Sequence, residues 1–339
     1  MEPLADSPAA SYRERRIESL SLALGAGAFV VAAVVAIIAF RGQAAPIAGP
    51  GSVGQFAAVC SGAVAIAAFV TGDLVVRRGR RGFLAIVDLA ALAFAHAVIA
   101  ILTWTLLSVI LEDAFFSAEV FAIPVILLSG AVAAVTAYVA FLSATHMDLT
   151  LLAILLATFL IEGMLASMLT ASDPLWWHEH LSSLGATRDI SSLAFNLTLI
   201  VAGIMVTTLA RSATAGVPSS NPHGMARVRL CLVLIGVFLA FVGVFKVDDF
   251  FWLHTGFASG MAVVYGVLVI RLPVWVPDLS RFFIVLGWVF FGLMLLLGVF
   301  YAIGRYTLTA VELVGGTLVF TWIILFIRNA AALQQDTTR

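Results

Sequence analysis

The sequence predicts an all-α, polytopic membrane helix bundle of about ten spans, and three observations carry that prediction. Hydrophobic residues make up 62% of the 339 and charged residues only 11%, with a mean hydropathy of +1.11; soluble domains carry about 25% charged residues. The apolar residues fall in continuous runs of roughly 20, the length a helix needs to cross a hydrocarbon core about 30 Å thick. Those runs do not alternate with polar residues, as the strands of a membrane barrel must. A water-soluble enzyme is excluded.

The predicted spans are residues 20–40, 56–76, 83–111, 120–142, 149–169, 190–210, 228–245, 253–270, 282–303 and 308–327. Segment 1–19 carries Arg13, Arg15 and Arg16 mixed with Glu14 and Glu18, and the run behind it is long enough to be a retained span rather than a secretory signal. Ala28, Ala32 and Ala36 recur at every fourth position of that span and permit close helix approach. Pro124 predicts a kink near the start of the fourth span. The seventh span is the shortest, and Arg229 must snorkel to the interface. Segment 211–227, with Ser212, Thr214, Gly216, Pro218 and Asn221, reads as a flexible linker. The domain division is a four-span unit, 20–142, and a six-span unit, 149–327, followed by a tail, 328–339.

Orientation follows from the basic residues of short loops. With a cytoplasmic N-terminus, the inner segments hold all of the 18 Lys and Arg residues except Arg41, Arg188, Lys246 and Arg305. This predicts a multi-pass plasma-membrane protein with both termini cytoplasmic. A net charge of -1 and the lack of a long basic run argue against nucleic acid as a partner. Cys60 and Cys231 fall toward opposite faces, so neither a disulfide nor a cysteine metal site is expected.

On that orientation the outer side collects His178 and His180 after span five, and Asp248, Asp249 and His254 before span eight. The favoured reading is a non-enzymatic site that binds or senses a lipid headgroup or small ligand. In it His180, Asp249 and His254 orient the polar group, Ser182 and Ser183 donate hydrogen bonds, and Glu162 lies below as an intramembrane partner. A second reading is a metal-dependent membrane hydrolase. His178, His180 and His254 then bind a divalent metal, for which zinc is suited, with Asp248 or Asp249 as base, whereas the favoured reading calls for no cofactor. His-x-His with a distant third histidine is far less specific than His-Glu-x-x-His. A third reading takes Trp176, Trp177, Phe250, Phe251 and Trp252 as an interfacial aromatic belt with ordinary polar neighbours.

Two ionisable residues sit near mid-depth, His96 in span three and Glu162 in span five. Such groups need a reason to be there. They share a hydrogen bond, or serve as the coupling groups of a secondary transporter, or Glu162 is a neutral acid bonded to a neighbouring helix. Asp73, Asp88 and Glu312 lie closer to the interfaces and weigh less. The absence of a P-loop argues against ATP hydrolysis by this chain. The role of an accessory subunit, bound to another membrane protein or to a second copy, stays open.

The stretch His180-Leu181-Ser182-Ser183-Leu184-Gly185, followed by Phe195-Asn196-Leu197 and Ala202-Gly203, resembles a bacterial family of six-helix membrane proteins of unknown function. That family is similar in layout to the eukaryotic FRAG/DRAM/Sfk-type proteins. Asp249, His254 and Gly256 match its second outer element, and the resemblance covers about residues 149–327. It implies a six-span unit whose outer loops handle membrane lipids or lipid-anchored molecules, and it supplies no reaction. The chain departs from the family in its four additional N-terminal spans, 20–142.

Overall fold

The computed structural model describes residues 8–77, 82–215 and 221–337. Among these are ten helices, each long and apolar enough to cross a membrane: α1 (Pro8–Phe40), α2 (Val53–Val76), α3 (Phe83–Ala114), α4 (Ala122–Thr145), α5 (Leu149–Leu169), α6 (Ile190–Ala215), α7 (Pro222–Val244), α8 (Phe251–Trp275), α9 (Arg281–Ala302) and α10 (Leu308–Thr337). The protein is an all-α integral membrane protein.

Hydropathy marks where a helix meets lipid, whereas caps mark where it ends, and most differences from the predicted spans have that origin. Ser52, Asp148, Asn221 and Ser280 each accept a backbone N–H from the first turn of α2, α5, α7 and α9. Asn221 and Pro222 start α7 six residues before the apolar run does, so Arg229 lies inside the helix. The linker expected over 211–227 is helical at both ends, and only residues 216–220 of it lie outside the described residues. Pro124 is the third residue of α4, where an N–H has no intrahelical acceptor, so it imposes no kink. Val120, expected as the first residue of the fourth span, instead forms a two-residue strand with Glu119.

The helices form two compact units that divide between Met147 and Asp148. In the first, α4 packs on α1 and α2, and α3 packs on α2. Ala32 and Ala36 are fully buried, and the Phe29 ring lies 2.9 Å from where a Cβ on Gly130 would stand. The two-residue strands β1 (Ala45–Pro46) and β2 (Glu119–Val120) pair antiparallel, tying the loops after α1 and α3 together over Ala45, Val53 and Val125. Inside the bundle His96 Nδ1 faces the Leu92 carbonyl at 2.7 Å, and Nε2 meets Ser143 Oγ at 2.8 Å. A carbonyl only accepts, so Nδ1 donates and Nε2 accepts from the serine. Both nitrogens are thus engaged within their own unit.

In the second unit α6 is central, packed on α5 and α7, while α8 packs on α7 and α10 on α5 and α9. The α6–α7 pair is antiparallel and very close. A Cβ on Gly236 would stand 2.6 Å from the Gly203 carbonyl oxygen, one on Gly203 would run into the Gly236 carbonyl, and one on Gly243 would stand 2.7 Å from the Asn196 carbonyl. Only glycine permits such an approach. At the far end Arg229 Nε donates to Thr214 Oγ1 at 2.6 Å and its terminal nitrogen to the Thr214 carbonyl at 3.2 Å, placing a cation at the C-terminal end of α6. Gly203→Ala is therefore expected to destabilise the detergent-solubilised protein by about 1–3 kcal/mol in thermal unfolding. Gly292→Ala, at a position with nothing within 4 Å of the new methyl, should leave stability unchanged or slightly raised.

Candidate functional site

The polar residues of the second unit concentrate where the α5–α6 connection, the α7–α8 turn and the start of α10 meet. The α5–α6 connection is not loose coil. It contains two 3₁₀ turns, Trp176–His178 and Leu181–Gly185, and buries Leu181, Ser182, Leu184 and Gly185. A buried connection must satisfy its backbone groups, and the neighbouring helices do so. The Glu312 carboxylate on α10 accepts the Leu181 N–H with one oxygen and the Ser182 hydroxyl, at 3.4 Å, with the other. Thr309 Oγ1 donates to the Trp177 carbonyl at 2.9 Å. On α6, Ser192 Oγ and Asn196 Nδ2 both donate to the Gly185 carbonyl, at 2.8 and 2.9 Å.

Asp189 caps α6. Its carboxylate accepts from the Ser192 N–H at 2.9 Å, from Thr187 Oγ1 at 2.6 Å and from Ser172 Oγ at 2.6 Å. Partial burial pushes this carboxyl up, but the hydrogen bonds from Ser172, Thr187 and Ser192 outweigh it and hold the group below its ordinary value of 3.8. From the α7–α8 turn, Lys246 Nζ donates to the Thr187 carbonyl at 2.9 Å and to Ser192 Oγ at 3.0 Å.

Beside this turn, a groove of about 600 Å³ runs between the start of α6 and the end of α7. Arg188, Lys246, Asp189, Ser192 and Asn196 line it, and Leu193, Leu197, Ile200 and Val244 form its apolar wall. Leu193 and Val244 are more than half exposed, so the wall opens outward from the helix pair. Arg188 is exposed and makes no hydrogen bond or ion pair among the described residues. The groove therefore presents a free guanidinium, an ammonium and a short apolar track. That is a set of groups for an oxyanion attached to a hydrocarbon chain.

The residues expected to form the site are only partly brought together. His180 Nδ1 meets Ser182 Oγ at 3.1 Å beside Glu312. Ser183 Oγ is spent on the His180 and Trp176 carbonyls, at 2.7 and 3.2 Å. His178 is exposed and stacks on Trp177 with ring centroids 3.8 Å apart. The buried His254 bonds the Phe245 carbonyl through Nδ1 at 2.7 Å, and Asp249 is exposed in the α7–α8 turn. Glu162 is half-buried two thirds of the way along α5. Among the described residues, no group of three or more His, Cys, Asp and Glu side chains is arranged to hold a metal ion. Sequence reasoning missed Glu312 as the anchor of the connection, and it missed Arg188 and Lys246 as a pair. Their signal was present, since these are two of only four basic residues left on the predicted outer side. Comparison with protein-family models, curated proteins and solved structures finds no match for this chain.

Two outcomes follow. Glu312→Ala removes the acceptor of a buried N–H, costing about 1–3 kcal/mol, and should speed hydrogen exchange over residues 176–185 by about tenfold or more without unfolding the helices. Because the folded-state value of Asp189 is depressed, its stabilisation is complete above pH about 4 and is lost as pH falls through that lower value. Wild type should therefore melt above Asp189→Asn at pH 6, and the gap should close toward pH 3.

Proposed function

We propose that this is a non-enzymatic membrane protein whose second unit binds the phosphate-bearing headgroup of a lipid in the groove between α6 and α7. The observation that carries the reading is the pairing of Arg188 and Lys246 above Leu193, Leu197, Ile200 and Val244. A guanidinium and an ammonium match phosphate oxygens, and the apolar wall suits the chain beneath. The distribution of basic residues adds support. Short outer loops avoid Lys and Arg, and two of the four outer exceptions line this one groove. The exposed Trp177, Phe250, Phe251 and Trp252 at the same end suit the lipid interface, where a headgroup lies. The resemblance of residues 149–327 to the six-helix family points the same way. On this reading the polar cluster expected around His180 and His254 is the scaffold that holds the groove, and Arg188 and Lys246 are its ligand-binding groups. The protein is then a plasma-membrane protein with cytoplasmic termini that faces the groove toward the outer leaflet.

The test is retention of phospholipid by the full chain purified in detergent, read by native mass spectrometry. Wild type should keep one lipid through mild delipidation, and Arg188→Gln should lower its occupancy by about tenfold, as expected for one charge-assisted contact. Leu197→Trp, which fills the track without touching a charge, should do the same. Equal retention by wild type and both variants would contradict the proposal.

A further inference from the structure

We infer that the headgroup taken by this groove is anionic as a whole, a phosphate diester of a neutral polyol, as in the phosphoglycerol class, and that headgroups bringing their own ammonium are disfavoured. The inference rests on the reading above and deepens it. Its basis is which groups of the lining are already used. Asp189 is the one carboxylate among them. A carboxylate offers about four lone-pair sites, and four donors take them: the Ser172 and Thr187 hydroxyls, both at 2.6 Å, the Ser192 N–H at 2.9 Å and the Ser172 N–H. Ser192 Oγ accepts from Lys246 at 3.0 Å and from Asn196 at 3.2 Å while donating to the Gly185 carbonyl, so it is also full. The remaining side-chain acceptor, Asn196 Oδ1, is uncharged and lies against Gly185.

What the lining leaves for a ligand is donors. Lys246 spends two N–H groups on the Thr187 carbonyl and Ser192 Oγ and, as an ammonium, keeps a third. Asn196 Nδ2 gives both of its N–H groups to Gly185 and Ser192. Arg188 gives none among the described residues, so its whole guanidinium is available. The charges lead to the same end. Asp189 and Lys246 hold the same two residues, the carboxylate through the Thr187 hydroxyl and the Ser192 N–H, the ammonium through the Thr187 carbonyl and the Ser192 hydroxyl. These neighbouring opposite charges largely offset each other, and Arg188 is left as the net positive charge of the lining. A monoanionic diester meets that guanidinium with its two free oxygens. A polyol hydroxyl accepts the N–H that Lys246 keeps, which an ammonium does not. A zwitterion of no net charge instead sets its ammonium near an uncompensated guanidinium, with no unsaturated carboxylate in the lining to receive it.

The test offers dioleoyl phosphatidylglycerol, phosphatidylethanolamine and phosphatidylcholine at equal concentration to the delipidated full chain and reads bound species by native mass spectrometry. Phosphatidylglycerol should exceed each of the others by about tenfold, the effect of one unit of ligand charge beside one net cation. Arg188→Gln should erase that preference. Arg305→Gln, an exposed position in the α9–α10 turn and outside the groove lining, should leave it intact. Excess inorganic phosphate, which has no chain for the apolar wall, should displace none of the bound lipid. Phosphatidylethanolamine or phosphatidylcholine bound as well as phosphatidylglycerol, with retention still lowered by Arg188→Gln, would overturn the anionic class and leave the phosphate groove standing. A preference that survives Arg188→Gln, or falls equally in Arg305→Gln, would overturn its assignment to this groove. Displacement by inorganic phosphate, or no lipid retained by wild type, would overturn both readings.

Discussion

The close antiparallel approach of α6 and α7 is the constraint on which the rest of the second unit depends. Gly203 and Gly236 let the two backbones meet where any side chain would separate them, and Gly243 lies against the Asn196 carbonyl nearer the loop end. Contacts at successive heights fix the register of the pair, with Arg229 and Thr214 closing the other end. Register in turn decides that Arg188, one residue before the α6 cap, and Lys246, two residues past α7, stand over the same groove. A shift by one helical turn, about 5.4 Å, would part them.

The bilayer explains why the polar chemistry gathers at one end. Within the hydrocarbon region helices satisfy their own backbone groups, and His96 is spent on Leu92 and Ser143. The α5–α6 connection is the exception, a buried non-helical segment. It is sustained because Glu312, Thr309, Ser192, Asn196 and Lys246 supply its partners from three other elements. Glu312 is the costly member of that set, a carboxylate near the start of a spanning helix, and its two acceptor oxygens are both used. The connection is thus a rigid cap on the bundle, and the groove beside it inherits that rigidity.

The spans were legible because lipid demands continuous apolar runs, and the fifth was placed to the residue. What hydropathy does not encode is where a polar sequence continues a helix. Asn221 with Pro222 began α7 inside what read as linker, and β2 took Val120 from the start of the fourth span. At the site, His180 and Ser182 were found as neighbours because they are near in sequence. Their union with Glu312, 130 residues away, depends on α10 returning beside the α5–α6 connection, which no local pattern reveals. Histidines draw attention by their chemistry, yet His178, His180 and His254 serve three separate local contacts. The informative anomaly was electrostatic, namely the few basic residues that fall on the predicted outer side.

The measurement that bears most directly on this account is a cryo-EM map of the full chain in a lipid nanodisc, resolved well enough to show annular lipid. The account predicts a headgroup density whose phosphate lies about 3 Å from both the Arg188 guanidinium and the Lys246 ammonium, with an acyl chain descending past Leu197 and Ile200. Ordered lipids elsewhere on the bundle with none between α6 and α7, or α6 and α7 standing apart at Gly203 and Gly236, would contradict it.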